Sequence, residues 1–522
     1  MSVEAVASEA EVLIQQNLER FLLVLSVSLS VATLSRTFSW FRRIPYTLLL
    51  VIVGSILAFV DVRLVNLSPG LILEIFLPPL LFEAGWNLKW KDLKREWFPV
   101  GLFAIVGVVI SVTGIAFLLQ KFTAISGSVS LLIGSSLAAT DPVSVIALFR
   151  ELGVGKRLTT LMEGESLFND GAAVVAFGLL VSLALGTEEF EVQGAIAEFA
   201  MVVGIGVGVG GLIGFGISYL TQRFDLPLVE QSLTLVSAYG TYVITEELGG
   251  SGVIGVVTVG LILGNFGSRI GMNPRTRSLV TEFWEFLAFF VNSIVFLLIG
   301  DQIQFENLVN SMTPIAVAIV AMLATRAIVI YGLSNFSNVA ANAAIGWREQ
   351  TVLWWGGLRG SVSIALALSL PEAIAERETA ISIVFGVVLF TLLAQGLTTQ
   401  PLLQNLGLLS QQGQQQEYKE TIARRAALER VLDYLKGLDK RPDLDDEFYR
   451  YQVTLIAGQM EEMDRKLDRL RDRYPDLRDY AAKQLKDELL AIEADTYAEF
   501  VRAGRLKEEL APWLQEKLAL DE

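Results

Sequence analysis

Long apolar stretches alternate with short charged loops through the first 400 residues of this 522-residue chain. A helix needs about 20 mostly apolar residues to cross the hydrocarbon core of a bilayer. The pattern predicts thirteen such helices, at residues 19–35, 45–60, 69–86, 98–119, 129–149, 158–185, 195–220, 228–246, 251–267, 278–300, 313–333, 350–370 and 379–400. The predicted fold class is therefore an all-α polytopic membrane protein.

The charges of the loops support this division into helices. Cytoplasmic loops of membrane proteins collect Lys and Arg. One set of alternate loops carries fifteen of these residues, whereas the opposite set, counted with the N-terminal segment, carries four. We therefore expect the N-terminus outside the membrane and the C-terminus in the cytoplasm.

The composition changes near residue 404, so we divide the chain into a transmembrane domain at 1–404 and a cytoplasmic tail at 405–522. The tail holds nearly half of all charged residues. After a Gln-rich link, its charges recur at helical spacing, which is typical of solvated helices. The pattern predicts a helical tail that either packs as a plain solvated domain or regulates the membrane domain.

The chain has no Cys and no His. Disulfides, thiolate metal sites and cysteine nucleophiles are therefore excluded, and proton chemistry near neutral pH falls to carboxylates, Lys or Tyr. The net charge of −15 argues against a nucleic-acid partner. No motif calls for a cofactor.

Ionisable residues inside the predicted spans are the candidate functional groups, because each costs at least about 2.5–3.5 kcal/mol to insert at the membrane centre. In the sixth span, Asp170 and Ser166 are four residues apart and share a helix face, and Glu165 and Asn169 share the adjacent face. The alternative is a helix that starts at Gly171 with Asn169 or Asp170 as its cap.

Two spans carry helix-breaking sequences. In the fifth span, Pro142 follows Thr140 and Asp141 and removes a backbone donor. In the twelfth span, three glycines surround Arg359. Interrupted helices in the two halves of a chain indicate an inverted-repeat transporter with an ion site at the breaks. For Asp141, the alternative is an ordinary proline kink that this residue caps.

Two further charges are weaker candidates. Glu83 follows two prolines in the third span, and either lines a cavity or lies at the membrane interface beside Trp86. Arg326 in the eleventh span either lines the cavity or, as we favour, pairs with a buried acid for structural reasons.

Four motifs resemble those of the NhaP-type monovalent cation:proton antiporters, prokaryotic relatives of the eukaryotic sodium/hydrogen exchangers. They occur in the family's order, and the resemblance covers about residues 15–400. The motifs are Phe76–Leu77–Pro78–Pro79–Leu80–Leu81–Phe82–Glu83–Ala84–Gly85, Thr140–Asp141–Pro142, Glu165–Ser166–Leu167–Phe168–Asn169–Asp170 and Gly357–Leu358–Arg359–Gly360.

The resemblance implies a homodimer in a prokaryotic cell membrane that exchanges Na⁺ or Li⁺ for H⁺, and so a transporter rather than an enzyme. It implies that Asp170 carries the ion and the proton. Ser166 and Thr140 are then further ligands of the transported Na⁺, and Asn169 and Asp141 belong to the same cation- and proton-binding site. The resemblance also implies a buried structural ion pair between Glu165 and Arg359.

A carboxylate oxygen binds Na⁺ or a proton but not both, so competition at one carboxylate couples the two fluxes. A free aspartic acid has a pKa of about 3.9, and burial raises the pKa of such groups. If Asp170 alone exchanges its proton, one cation moves per proton and exchange is electroneutral. If Asp141 also titrates, exchange is electrogenic.

Other functions remain open from the residues alone. Hard oxygen ligands also suit K⁺ or Ca²⁺. A cation channel would need a continuous pore instead of an alternating site. An intramembrane protease would pair Asp141 with Asp170, but that class leads us to expect a Gly-Asp element where this chain has Asn169–Asp170.

Overall fold

The computed structural model describes residues 3–37, 45–60, 67–186, 191–222, 226–268, 272, 274–408, 412–437 and 446–473, with a few single positions beyond. The described chain is helical throughout, which confirms the all-α fold class. Contacts divide the chain into two compact units, Met1–Leu408 and Leu409–Glu522.

The first unit is a bundle of helices that are mostly apolar. We number them α1 to α18, with these bounds: Val3–Thr37, Tyr46–Phe59, Leu77–Asn87, Trp90–Gly101, Gly107–Phe122, Gly127–Ser136, Val143–Leu152, Lys156–Ala184, Val192–Thr221, Pro227–Glu247, Gly252–Ile262, Pro274–Asp301, Phe305–Asn310, Met312–Ala341, Trp347–Trp355, Ser361–Leu368, Arg377–Phe390 and Gly396–Asn405. Short π-helical turns at Leu71–Phe76, Leu102–Val106, Leu263–Gly267 and Thr391–Gln395 adjoin α3, α4, α11 and α17.

Several of these helices are suited to a membrane. Among the described residues, six helical stretches are long and apolar enough to cross a bilayer, and three shorter apolar helices accompany them. This agrees with a polytopic membrane protein. The total of thirteen spans stays a prediction.

Both predicted helix breaks are confirmed. The fifth span is divided into α6 and α7, which end and begin on either side of residues 137–142. The twelfth span is divided into α15 and α16 by residues 356–360. Pro142 and the glycine-rich segment around Arg359 account for the two positions, because neither sequence sustains a regular helix.

The membrane unit contains two groups of contacting helices. The broken-helix bundle consists of α4 to α8 with α14 to α17, and the flanking bundle of α1 to α3 with α9 to α12. In the flanking bundle, Gly54 of α2 and Gly300 of α12 lie backbone against backbone, where an added Cβ would collide. The two bundles meet where α8 contacts α3 and α11 and where α16 contacts α12.

The second unit contains two long charged helices, α19 (Gln412–Gly437) and α20 (Asp446–Arg473), which pack together. Their contact buries Tyr418 against Leu467 and Leu470. The Tyr418 hydroxyl accepts hydrogen bonds from Nε and Nη2 of Arg471, at 3.0 and 2.8 Å. The tail is helical over these ranges, as predicted, and most of residues 474–522 lie outside the described residues.

Candidate functional site

The sixth span forms the continuous helix α8, and its polar residues lie in the interior of the membrane unit. Four of these residues are buried, with 8% or less of each residue exposed: Glu165, Ser166, Asn169 and Asp170. The helix begins at Lys156, so Asp170 lies several turns inside it and does not cap its start. Polar groups at this depth need partners or a hydrated cavity, because lipid supplies neither.

Two of these side chains bind the break of the fifth span. The Asn169 amide donates to Thr140 Oγ1 at 2.7 Å and accepts from the Thr140 amide at 3.3 Å. The Ser166 hydroxyl donates to the Thr140 carbonyl. The unwound backbone at Thr140 thus replaces its lost helical hydrogen bonds with side chains of α8.

Asp141 occupies the start of α7. Its Oδ1 accepts a hydrogen bond of 3.1 Å from the amide of Val143, the first residue of that helix. The amide of Ser361, at the start of α16, also interacts with this carboxylate. Asp141 therefore holds the N-terminal ends of two half-helices, where exposed amides and the helix dipole favour a negative charge.

The two breaks also bind each other directly. The amide of Asp141 donates to the Leu358 carbonyl at 2.8 Å. Nη1 of Arg359 donates to the carbonyls of Ala138 and Ala139, at 3.1 and 3.0 Å. The close approach requires a glycine at position 360, because a Cβ there would collide with the Asp141 carboxylate.

The family resemblance predicts an ion pair between Glu165 and Arg359, and the partner of Glu165 in that prediction is wrong. Glu165 pairs instead with Arg326 of α14, through contacts of 2.9 and 3.3 Å that join both carboxylate oxygens to the guanidinium. Arg326 also donates to the carbonyls of Leu353 and Trp354, next to the second break. Arg359 interacts electrostatically with Glu165 but gives its hydrogen bonds to the first break.

Asp141, Ser166 and Asp170 line one cavity of about 630 Å³. Glu83 also lines it, and Glu83 Oε1 accepts a hydrogen bond of 2.6 Å from Asn87. Arg326 is not among the lining residues, because its guanidinium group forms an ion pair with Glu165. Thr140 and Asn169 lie behind the wall and fix its shape.

The cavity is strongly acidic. Six carboxylate residues line it, and no Lys or Arg does so among the described residues: Glu83, Asp141, Glu163, Asp170, Glu282 and Glu285. The sequence patterns above did not single out Glu282 and Glu285 of α12 or Glu163 of α8. Glu282 and Glu285 lie three residues apart inside the apolar span 278–300. This spacing is a sequence signal from which the contribution of α12 to the cavity could have been predicted.

One further residue escaped the sequence patterns. Thr391 begins the π-helical turn after α17, is fully buried, and accepts the amide hydrogen of Arg359 at 3.1 Å. Such turns expose backbone and side chains that a regular helix would hide, and they often occur at functional sites. Thr391 therefore supports the second break through the backbone of Arg359.

The arrangement suits a small cation. Asp170 Oδ1 is buried and has no hydrogen-bond partner among the described residues. It lies in a cavity with a serine hydroxyl and other carboxylates, which are hard oxygen ligands. No group of three acidic side chains in the described chain is close enough to form a metal centre by itself.

A carboxylate-lined cavity that reaches two interrupted helices inside an apolar bundle defines a secondary transporter. Residues 25–405 match the family described as "Sodium/hydrogen exchanger, transmembrane". The chain belongs to this sodium/hydrogen exchanger family, which confirms the resemblance drawn from its motifs.

Relatives match the chain over most or all of its length. It is 63% identical to the Na(+)/H(+) antiporter ApNhaP of Aphanothece halophytica, with 100% of both chains covered. It is 59% identical to the low-affinity Na(+)/H(+) antiporter NhaS1 of Synechocystis sp., with 96% of each covered. The sodium proton antiporter MjNhaP1 from Methanocaldococcus jannaschii has the same fold, with a TM-score of 0.63, 20% identity, and 76% of this chain and 99% of that chain covered.

Proposed function

We propose that this protein exchanges Na⁺ or Li⁺ for H⁺ by competition at Asp170. The observation that carries the proposal is the unpartnered Oδ1 of a buried aspartate in a polar cavity. A buried carboxylate oxygen without a hydrogen-bond partner is costly, and either a bound cation or a proton removes the cost. The two relatives above are both named Na(+)/H(+) antiporters, and this supports Na⁺ as the cation.

Exchange is electroneutral in this proposal, with one cation per proton. Asp141 supports this because one of its oxygens already accepts the Val143 amide and caps α7. A proton on that carboxylate would weaken the attraction between the cap and the amides. Asp170 Oδ1 accepts no hydrogen bond among the described residues, so Asp170 is the single carrier in this proposal. Ser166 is a further ligand in the cavity wall, and Thr140 holds Ser166 in place from behind the wall.

We further propose that the cavity opens to the cytoplasm. Its wall residue Glu83 lies just before Lys89, Glu163 follows the start of α8 at Lys156, and Glu282 lies near Arg277. All three residues lie near the ends of spans that adjoin loops rich in Lys and Arg. In the same proposal, the N-terminus lies outside, the tail lies in the cytoplasm, and the protein is a homodimer in a prokaryotic cell membrane.

The absence of cysteine in the chain allows a direct test of this sidedness. A single Glu163→Cys variant should react with a membrane-impermeant thiol reagent in inside-out vesicles and be protected in intact cells. The reverse pattern would contradict the cytoplasmic opening. Chemical cross-linking of the wild-type protein in membranes should give a dimer.

Transport itself is tested in proteoliposomes that report the internal pH. Added Na⁺ or Li⁺ should drive proton flux through the wild-type protein, and Asp170→Asn should abolish the flux while the protein remains folded. Glu163→Gln, on the same helix and the same cavity, is the control that should keep exchange. Near-normal flux in Asp170→Asn would refute the site.

The same vesicles separate the alternatives. Flux driven by K⁺ or Ca²⁺ but not by Na⁺ would change the substrate, and cation uptake that continues without a counter-gradient of protons would indicate a channel. Rates that respond strongly to an imposed membrane potential would overturn the electroneutral stoichiometry.

A further inference from the structure

Asn292 contributes a buried amide side chain to the lining of the acidic cavity from α12, a helix of the flanking bundle. The residue lies on α12, only 5% of it is exposed, and it lines the cavity. Its Oδ1 is buried and has no hydrogen-bond partner among the described residues. Buried amide oxygens are nearly always hydrogen-bonded, so this one calls for a ligand.

Asn292 and Asp170 belong to different helix bundles. Asp170 and Ser166 belong to the broken-helix bundle through α8, whereas Asn292 belongs to the flanking bundle. Asn292 lies one heptad after Glu285, so both residues project from the same side of α12, and both line the cavity. On this face of α12, the carboxylate of Glu285 is therefore followed by the uncharged amide of Asn292.

The chemistry of an amide differs from that of a carboxylate in one useful respect. An amide carbonyl is a hard oxygen ligand for a cation but is not protonated near neutral pH. It binds the cation without itself competing for the proton that Asp170 takes up. It also adds no charge, so the balance of one cation against one proton is kept.

We infer that Asn292 is a cation ligand that the flanking bundle contributes to the site, and that it favours the cation over the proton. This inference rests on the proposed exchange at Asp170. Two oxygens that lack partners, Asp170 Oδ1 and Asn292 Oδ1, border the same cavity from different bundles. A cation bound between them would satisfy both oxygens at once.

The test compares Asn292→Leu, which keeps the branched shape but removes the oxygen, with Ser293→Ala. Ser293 is the adjacent buried residue of α12, and its hydroxyl already donates to the Phe289 carbonyl at 2.7 Å. Binding of radioactive Na⁺ to the purified full chain is measured across a range of pH. Asn292→Leu should weaken Na⁺ binding by about tenfold or more, the scale of loss when support for a bound metal ion is removed.

Two features of the result distinguish a ligand from a packing residue. The proton affinity of the empty site, read from the pH dependence extrapolated to zero Na⁺, should be unchanged in Asn292→Leu. Asn292→Asp, which keeps an oxygen, should bind Na⁺ more tightly than Asn292→Leu does. If Asn292→Leu does not fold, the same comparison is made between Asn292→Ala and Asn292→Asp.

Failure of this inference is separable from failure of the proposed function. Asp170→Asn must abolish Na⁺ binding, and retained binding in that variant would refute the exchange site itself. If Asp170→Asn loses binding and Asn292→Leu binds Na⁺ as Ser293→Ala does, Asn292 is not a ligand. Equal losses of affinity for Na⁺ and for protons in Asn292→Leu would also overturn the inference.

Discussion

The backbone amide of Asp141 donates a hydrogen bond of 2.8 Å to the carbonyl of Leu358, and this bond joins the two helix breaks. Arg359 strengthens the junction by donating to the carbonyls of Ala138 and Ala139. Unwound backbone inside a membrane is tolerated only where protein or water satisfies its polar groups. Each break satisfies backbone polar groups of the other, so the two broken spans form one structural element around the site.

Gly360→Ala should damage this junction, because the added methyl group would collide with the Asp141 carboxylate. We expect a large loss of Na⁺-driven proton flux and a lower melting temperature in detergent. Gly178→Ala is the matched control, since nothing lies within 4 Å of a Cβ added at that position of α8. Flux through Gly360→Ala equal to that of the control would show that the close approach is not required.

Removing one partner of the Glu165–Arg326 pair should destabilise the fold by about 3–5 kcal/mol, because a buried charge is left alone. Glu165→Gln and Arg326→Met should each lower the melting temperature and the yield. The double variant Glu165→Leu with Arg326→Met should recover much of that loss. Additive losses in the double variant would argue against direct coupling, and altered ion selectivity at normal stability would argue against a structural role.

The acids of α12 should raise the local concentration of cations at the cavity mouth. The double variant Glu282→Gln with Glu285→Gln should raise the KM for Na⁺ at low ionic strength. The difference from wild type should shrink when an inert salt brings the ionic strength to several tenths molar, where the Debye length falls to about 3–6 Å. Glu306→Gln, an exposed acid outside the cavity, should leave the KM unchanged.

The stability of the hairpin that α19 and α20 form in the tail depends on Tyr418 more than on surface ion pairs. Tyr418 is 1% exposed, whereas the Arg425–Asp464 pair, at 2.6 Å, lies at the surface. Truncation of a buried aromatic side chain costs about 3–5 kcal/mol, and surface pairs contribute little. In the full chain, Tyr418→Ala should speed hydrogen exchange in α19 and α20, and Arg425→Ala should leave it nearly unchanged. Equal protection in both variants would contradict the hairpin core.

Much of the site could be predicted because its signals are local in sequence. Pro142 and the glycines around Arg359 mark the breaks, since each residue type acts on the backbone where it stands. Asp170 stands out because a carboxylate in an apolar span is expensive. Helical spacing also places Ser166 and Asp170 on one face, and both line the cavity.

The partner of Glu165 could not be predicted in the same way. Spacing along α8 gives the direction of that side chain but not which of two buried arginines faces it. Arg326 and Arg359 belong to different helices, and only their packing decides that Arg326 meets the carboxylate. The α12 wall was missed for the same reason, because residues of the flanking bundle reach the cavity only through the tertiary fold.

The Glu165–Arg326 pair has a consequence for the divergence of related chains. Each buried charge is tolerated because the other is present, so a lineage that loses one should also lose the other. Arg359 is bound by backbone carbonyls, which no substitution removes. Across family members, the residues aligned with positions 165 and 326 should therefore covary more strongly with each other than either does with the residue aligned with position 359.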